Sequence, residues 1–100
     1  MRYDEMMPLA EDVAEIMKTL AHPGRLLALC AVMESERSVG ELAETLGMRT
    51  QAMSQQLAIL RSNGLVKTRR QGQTIYYDLA DDRLRTLLTT LYETYCQPSG

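Results

Sequence analysis

A mainly helical chain carrying one small β-hairpin, in the order α-α-α-α-β-β-α, is predicted by three features of the sequence. Apolar residues recur at helical spacing at both ends of the chain. Two further helical segments in the middle are separated by a glycine turn. From Leu65 the period changes to two. The chain has 100 residues, 45% of them apolar and 24% charged, which suits one domain over residues 1–100 and leaves no room for a second core. No apolar run approaches the ~18–20 residues of a membrane helix, so no membrane partner is expected. The acidic start Met1-Arg2-Tyr3-Asp4-Glu5 leads into no apolar signal core, and a cytoplasmic address is the expectation.

Leu9, Val13, Ile16, Met17 and Leu20 define an amphipathic helix over about residues 8–20. His22-Pro23-Gly24 interrupts it, and Pro23 suits the first position of a second helix running to about Glu34. Ser38-Val39-Gly40-Glu41 has the spacing of a capping box and opens a third helix that ends at Leu46, with Gly47 supplying the tight turn. A fourth helix runs from about Thr50 to Ser62, with Met53, Leu57 and Leu60 facing inward and Asn63-Gly64 as its stop. Residues 38–63 therefore read as helix, turn, helix. Val66, Thr68 and Arg70 then alternate with Lys67 and Arg69. Gln71-Gly72-Gln73 makes a turn, and Thr74 to Leu79 returns as a β-branched and aromatic strand, giving a hairpin over about 65–79. Asp81 and Asp82 favour the start of a last helix over about 81–96, with Pro98 beyond it.

Helices, a helix-turn-helix and a following hairpin make a winged helix-turn-helix, and the charge pattern agrees with it independently. Residues 1–48 carry four basic and nine acidic side chains. Residues 49–77 carry Arg49, Arg61, Lys67, Arg69 and Arg70 and no acid, and residues 78–100 carry two basic and four acidic. The acid-free window covers the second helix of the helix-turn-helix and the wing, which are the two elements this fold offers to DNA. Phosphate binding needs local positive potential rather than a basic whole. Thr50, Gln51, Ser54 and Gln55 lie on the outward N-terminal side of that helix and suit base edges in a major groove, with Arg49 just ahead of them. Arg69, Arg70 and Gln73 on the wing are placed to reach phosphates or a neighbouring minor groove. Double-stranded operator DNA is the expected partner.

Several runs carry a resemblance to the ArsR/SmtB family of bacterial repressors over about residues 9–96. They are Leu20-Ala21-His22-Pro23-Gly24-Arg25-Leu26, Ser38-Val39-Gly40-Glu41-Leu42-Ala43, Met53 through Arg61, Gly64-Leu65-Val66 and Gly72-Gln73-Thr74-Ile75-Tyr76-Tyr77. The resemblance implies a homodimer joined by the first and last helices, about residues 8–20 and 81–96, with one recognition helix per half-site. Two positions depart from the family pattern. Arg49 stands where Ser is common, which removes the usual cap and leaves Thr50 to replace it, and Gln56 stands where His is common.

The two usual metal sites of that family are missing. The first helix of the helix-turn-helix holds no cysteine, and the last helix holds no histidine. Cys30 and Cys96 are too few and too far apart in sequence for a disulfide scaffold. Read as residues alone, they are either a small core hydrophobe and a tail thiol or a pair that reacts. Their positions resemble the sulfide/persulfide- and redox-responsive BigR/SqrR/HlyU-like branch. That resemblance implies that Cys30 and Cys96 of one protomer become linked by reactive sulfur species or an oxidant, and that the linked form leaves DNA. A glutathione pool keeps ordinary strained disulfides reduced. A simple disulfide needs Cα atoms within roughly 7 Å, and a polysulfide spans more.

A thiophilic-metal sensor built on the same cysteines and a winged-helix protein-interaction module remain as alternatives. His22, eight residues before Cys30, lies about 12 Å away along a helix and does not suit a Cys-His pair. Tyr76, Tyr77, Tyr92 and Tyr95 are expected to pack rather than to stack on bases. The sequence offers no catalytic residues or cofactor motif and neither of the family's usual metal sites, so an enzyme is not expected. Zn(II) is accordingly expected to leave the DNA complex intact in a titration followed by fluorescence anisotropy, and dissociation at sub-micromolar Zn(II) would contradict this reading.

Overall fold

Residues 1–96 are described by the computed structural model. The chain begins with α1 (Tyr3–Met6), a single 3₁₀ turn over Met7–Leu9 and α2 (Ala10–Leu20). The amphipathic segment expected from about residue 8 thus has a helical lead-in. Asp4 and Glu5 sit in the first turn of α1, where acids suit the helix dipole. Pro8 lacks the amide that an α ladder needs, so the chain tightens to 3₁₀ geometry before α2 starts.

Helix α3 (Pro23–Glu34) starts at Pro23, as its sequence predicts, and His22 caps it. The imidazole Nδ1 accepts from the Gly24 amide at 3.0 Å and the Arg25 amide at 3.4 Å, filling the role more often taken by Ser or Asp. Ala28, Leu29 and Val32 are fully buried, and the helix packs on α2 and on the elements that follow it.

Strand β1 (Arg37–Ser38) is an addition to the expected hairpin. It pairs antiparallel with the second wing strand, Arg37 opposite Tyr77 and Ser38 opposite Tyr76, making a three-stranded sheet of order β1-β3-β2. Ser38 then opens α4 (Val39–Leu46) through the capping box. Its hydroxyl accepts from the Glu41 amide at 3.2 Å, and the Glu41 carboxylate accepts from the Ser38 amide at 2.9 Å. Gly47 closes the helix at φ +66°, a left-handed conformation that a side chain would strain.

Helix α5 (Thr50–Ser62) buries Met53, Leu57 and Leu60 completely, as its spacing predicts. Arg49 occupies its N-cap and makes no side-chain capping bond, and the Thr50 hydroxyl supplies no replacement. Strands β2 (Val66–Gln71) and β3 (Thr74–Leu79) pair from Val66 opposite Leu79 to Gln71 opposite Thr74, leaving Gly72-Gln73 as the loop. Asp81 caps α6 (Asp82–Tyr95) by accepting from the Leu84 amide at 3.0 Å. Pro98, expected to follow that helix, lies outside the described residues.

Leu84 and Leu88 bury α6 against the core. Arg85 Nη1 donates to the Met33 carbonyl at 3.0 Å, tying α6 to the C-terminal end of α3, and Arg37 Nε donates to the Ala31 carbonyl at 3.2 Å. Arg85 thereby supplies a donor to a last-turn carbonyl of α3, and Arg37 adds a second donor to the Ala31 carbonyl, which also accepts from the Ser35 amide at 3.5 Å.

Ser38→Ala is expected to lower stability by about 0.5–2 kcal/mol in urea unfolding, because it removes the α4 cap. Three carboxyls lie below their ordinary pKa values: Glu36 through hydrogen bonds from Arg69, Glu41 through the Ser38 amide and hydroxyl, and Asp81 through the Leu84 amide. A carboxyl so lowered contributes stability that is present above its unfolded pKa and is lost as pH falls through the folded value. Stability should therefore decline below about pH 4, and less so in Asp81→Asn. A urea midpoint constant through that range would contradict this assignment.

Candidate DNA interface and dithiol pair

The start of α5 presents Thr50, Gln51, Ser54 and Gln55 to solvent, with Arg49 exposed immediately before them. Its opposite face is anchored by Met53, Leu57 and Leu60, so the polar row cannot turn inward without exposing core. An open cleft of about 410 Å³ lies between this helix, the start of α4 and the tip of the wing. Ser54 and Gln73 both line it, together with Ser38, Gly40 and Thr74. The fold thereby brings a residue of α5 and a residue of the β2–β3 hairpin, nineteen positions apart in sequence, to one surface.

Neighbouring residues on a strand point to opposite faces, and the two wing arginines differ accordingly. Arg70 is exposed, and its Nε donates to the Gly72 carbonyl at 3.0 Å at the hairpin tip. Arg69 is held elsewhere. Its Nε donates to both carboxylate oxygens of Glu36 at 3.1 and 3.2 Å, and its Nη2 donates to Oε1 at 2.5 Å. The guanidinium carbon lies 4.9 Å from the centre of the Tyr76 ring. The acid-free window of the sequence therefore receives an acid in space, from just before β1.

Gln56 is also directed away from the outward row. Its Oε1 accepts from Arg25 Nη1 at 3.0 Å, and Arg25 Nε donates to the Thr19 carbonyl at 2.7 Å. One side chain on α3 thus joins the end of α2 to the middle of α5. Neither Arg25 nor Glu36 was identified from the sequence, because their partners lie 31 and 33 residues away with no periodic signal connecting them.

Cys30 sits half-buried on α3 against the core, and Cys96 is exposed where α6 ends; both are free thiols. The Cys30 thiol is pushed up chiefly by burial, then by the charge of Cys96 and of Glu34. Among the described residues no cluster of three or more His, Cys, Asp or Glu is arranged to hold a metal ion, and no helix is long and apolar enough to cross a membrane. Exposed apolar side chains gather on the terminal helices: Tyr3, Met6, Leu9 and Met17 at one end of the chain, Tyr92 and Tyr95 at the other. An apolar cleft of about 240 Å³ between α2 and α6 lies among Val13, Ile16, Met17, Leu84 and Leu87.

Comparison with known proteins gives a consistent picture. Residues 22–68 match the arsR family of bacterial regulatory proteins. The biofilm growth-associated repressor of Agrobacterium fabrum is 46% identical over 89 residues, which cover 89% of this chain and 76% of that protein. The crystal structure of the transcriptional repressor BigR from Xylella fastidiosa superposes with a TM-score of 0.91 at 40% identity, covering 98% of this chain and 100% of that one. Reduced HlyU from Vibrio cholerae superposes with a TM-score of 0.86 at 38% identity, covering 93% and 98%.

The unequal surroundings of the two thiols predict an order of reaction. Iodoacetamide at neutral pH should modify exposed Cys96 well before Cys30, and the Cys30 rate should keep rising at pH values above the ordinary thiol range of about 8.5. Peptide mass mapping that finds equal rates at neutral pH would contradict the assignment.

Proposed function

Because the chain belongs to the arsR family of bacterial regulatory proteins, in its BigR/HlyU-like branch, we propose that it is a repressor that binds operator DNA as a homodimer and is released when Cys30 and Cys96 become joined. Its relatives are transcriptional regulators rather than enzymes. The observation that supports the dithiol reading is a pair of free thiols on different helices, Cys30 half-buried against the core and Cys96 at an exposed helix end, with the charge of Cys96 among the causes that push the Cys30 thiol up.

The polar row Thr50, Gln51, Ser54 and Gln55 enters the major groove and reads bases, while Arg49, Arg70 and Gln73 lie along phosphates. The exposed apolar faces of α1–α2 and α6 form the dimer interface, since an unpartnered stripe of that size is costly in water. Two recognition helices then meet successive half-sites at roughly 34–36 Å, one turn of DNA. Arg69 stands apart from this set, its guanidinium already engaged by Glu36.

The inducing chemistry balances with a polysulfide alone. The Cys96 thiolate attacks the central sulfur of an organic trisulfide, and one thiolate leaves. The Cys30 thiolate attacks that same sulfur, and the second thiolate leaves. The product is a bridge with one sulfur between the two Sγ atoms, and both donor thiols are released. A peroxide instead takes two electrons from the dithiol, yielding a direct disulfide and water. Either bond pulls the end of α6 toward α3. Because α6 carries part of the dimer interface, this changes the separation of the recognition helices, which DNA holds fixed.

The test treats the protein with glutathione trisulfide and measures intact mass, together with affinity for a duplex selected from a randomised pool. The expected product is a monomer mass increased by one sulfur and reduced by two hydrogens. Affinity should fall 5–150-fold, as expected for a coupling of about 1–3 kcal/mol. Cys30→Ser and Cys96→Ser should each retain DNA binding and lose the response, whereas changes at Gln51, Ser54 or Gln55 should alter sequence preference. Release of DNA from either serine variant, or bridges found only between protomers, would overturn the reading.

A further inference from the structure

The sheet order places Arg69 at one side of the wing and Glu36 at the other. Arg69 on β2 is paired with Tyr76 on β3, Tyr76 is paired with Ser38 on β1, and Glu36 lies just before β1. To reach Glu36 the Arg69 side chain passes over the Tyr76 ring, with its guanidinium 4.9 Å from the ring centre. It therefore spans all three strands. Every guanidinium nitrogen is used: Nε and Nη2 donate to Glu36, and Nη1 donates to Gln71 Oε1 at 2.9 Å.

The strand being held is the weakest in the sheet. β1 contributes two residues to the ladder, and the chain then turns directly into α4, the first helix of the helix-turn-helix. The wing, by contrast, is a hairpin of two six-residue strands. With the ion pair broken, the short β1 ladder and the packing of the wing base would be left to fix the hairpin against α4 and α5. Exposed ion pairs usually contribute little, but a fork that contacts both carboxylate oxygens and stacks on an aromatic ring restricts direction as well as distance.

We propose that Arg69 is a positioning residue that clasps Glu36 across Tyr76, holding the wing at a fixed angle to the helix-turn-helix and leaving Arg70 as the cation for phosphate at the wing's tip. This inference rests on the reading of the wing as a DNA-contacting element. It assigns different roles to two adjacent arginines that charge alone would treat as equivalent.

Salt dependence separates the two roles, because each lost phosphate contact lowers the slope of log K against log[salt] by about one. On a mixed-sequence duplex, Arg70→Gln should flatten the slope, while Arg69→Gln should weaken binding with the slope unchanged. Charge exchange supplies the rescue. Arg69→Glu should bind at least about tenfold more weakly than the parent, and Arg69→Glu combined with Glu36→Arg should return to within about threefold. A slope reduced as much by Arg69→Gln as by Arg70→Gln, or an exchanged pair no better than Arg69→Glu, would overturn the proposal.

The clasp also has a readout without DNA. Urea midpoints of Glu36→Gln, Arg69→Gln and the double variant should be non-additive, and additivity would overturn the clasp itself. If Arg70→Gln also leaves the salt slope unchanged, the DNA-contacting role of the wing fails, and this cycle still decides whether the clasp exists.

Discussion

Helices α2, α4 and α5 and strand β3 take their positions from α3. Ala28, Leu29 and Val32 are fully buried, and the helix meets α2, α4, α5 and β3. Its start is fixed by the His22 imidazole, and its end by Arg37 and Arg85, which take up the Ala31 and Met33 carbonyls. An interior packed at close to crystal density does not let such a helix slide a little. Arg25 extends the constraint to α5, joining Thr19 at the end of α2 to Gln56. Helices α2, α3 and α5 therefore behave as one body, with the outward polar row of α5 carried on its surface.

Helix α6 is attached differently. Its first half is held by buried Leu84 and Leu88 and by the Arg85 bond, whereas Tyr92, Tyr95 and Cys96 at its far end are exposed. Segments with few buried contacts move at the lowest free-energy cost. The two cysteines straddle this boundary between the fixed and the freer part. A covalent bond between Sγ atoms acts where the molecule can yield, and it acts on a helix whose apolar side chains we assign to the dimer contact. In the proposed mechanism the distortion stays out of the core and appears as a change in how two rigid bodies face each other.

Much of this was legible in the sequence because the signals are local. A capping box is four consecutive residues, and Ser38 and Glu41 make both of the bonds that their spacing predicts. Asp81 and Pro23 mark helix starts by chemistry that needs no distant partner. The acid-free window maps onto contiguous elements, α5 and the hairpin, although Glu36 enters it in space at Arg69. Strand β1 was not legible: two residues carry no alternation, and Ser38 is shared between a strand end and a helix cap. Nor was the lead-in over Tyr3–Leu9, where a proline that argues against regular helix is accommodated by a 3₁₀ turn. Pairwise contacts between distant polar residues were the least visible. Arg69 was expected on phosphate from its place in a basic strand, and only the sheet order reveals that Glu36 reaches it. Gln56, a departure from the family pattern, is bonded to Arg25 rather than directed outward.

The most direct test of this account measures the separation of the two recognition helices in the dimer. A spin label carried on an unnatural ketone side chain at exposed Ala58 on α5 avoids the native thiols. Double electron-electron resonance would then compare the dithiol protein with the Cys30–Cys96 bridged form. The account predicts a narrow distance distribution for the dithiol dimer, compatible with half-sites roughly 34–36 Å apart, and a displaced one after bridging. Superimposable distributions in the two forms would contradict it.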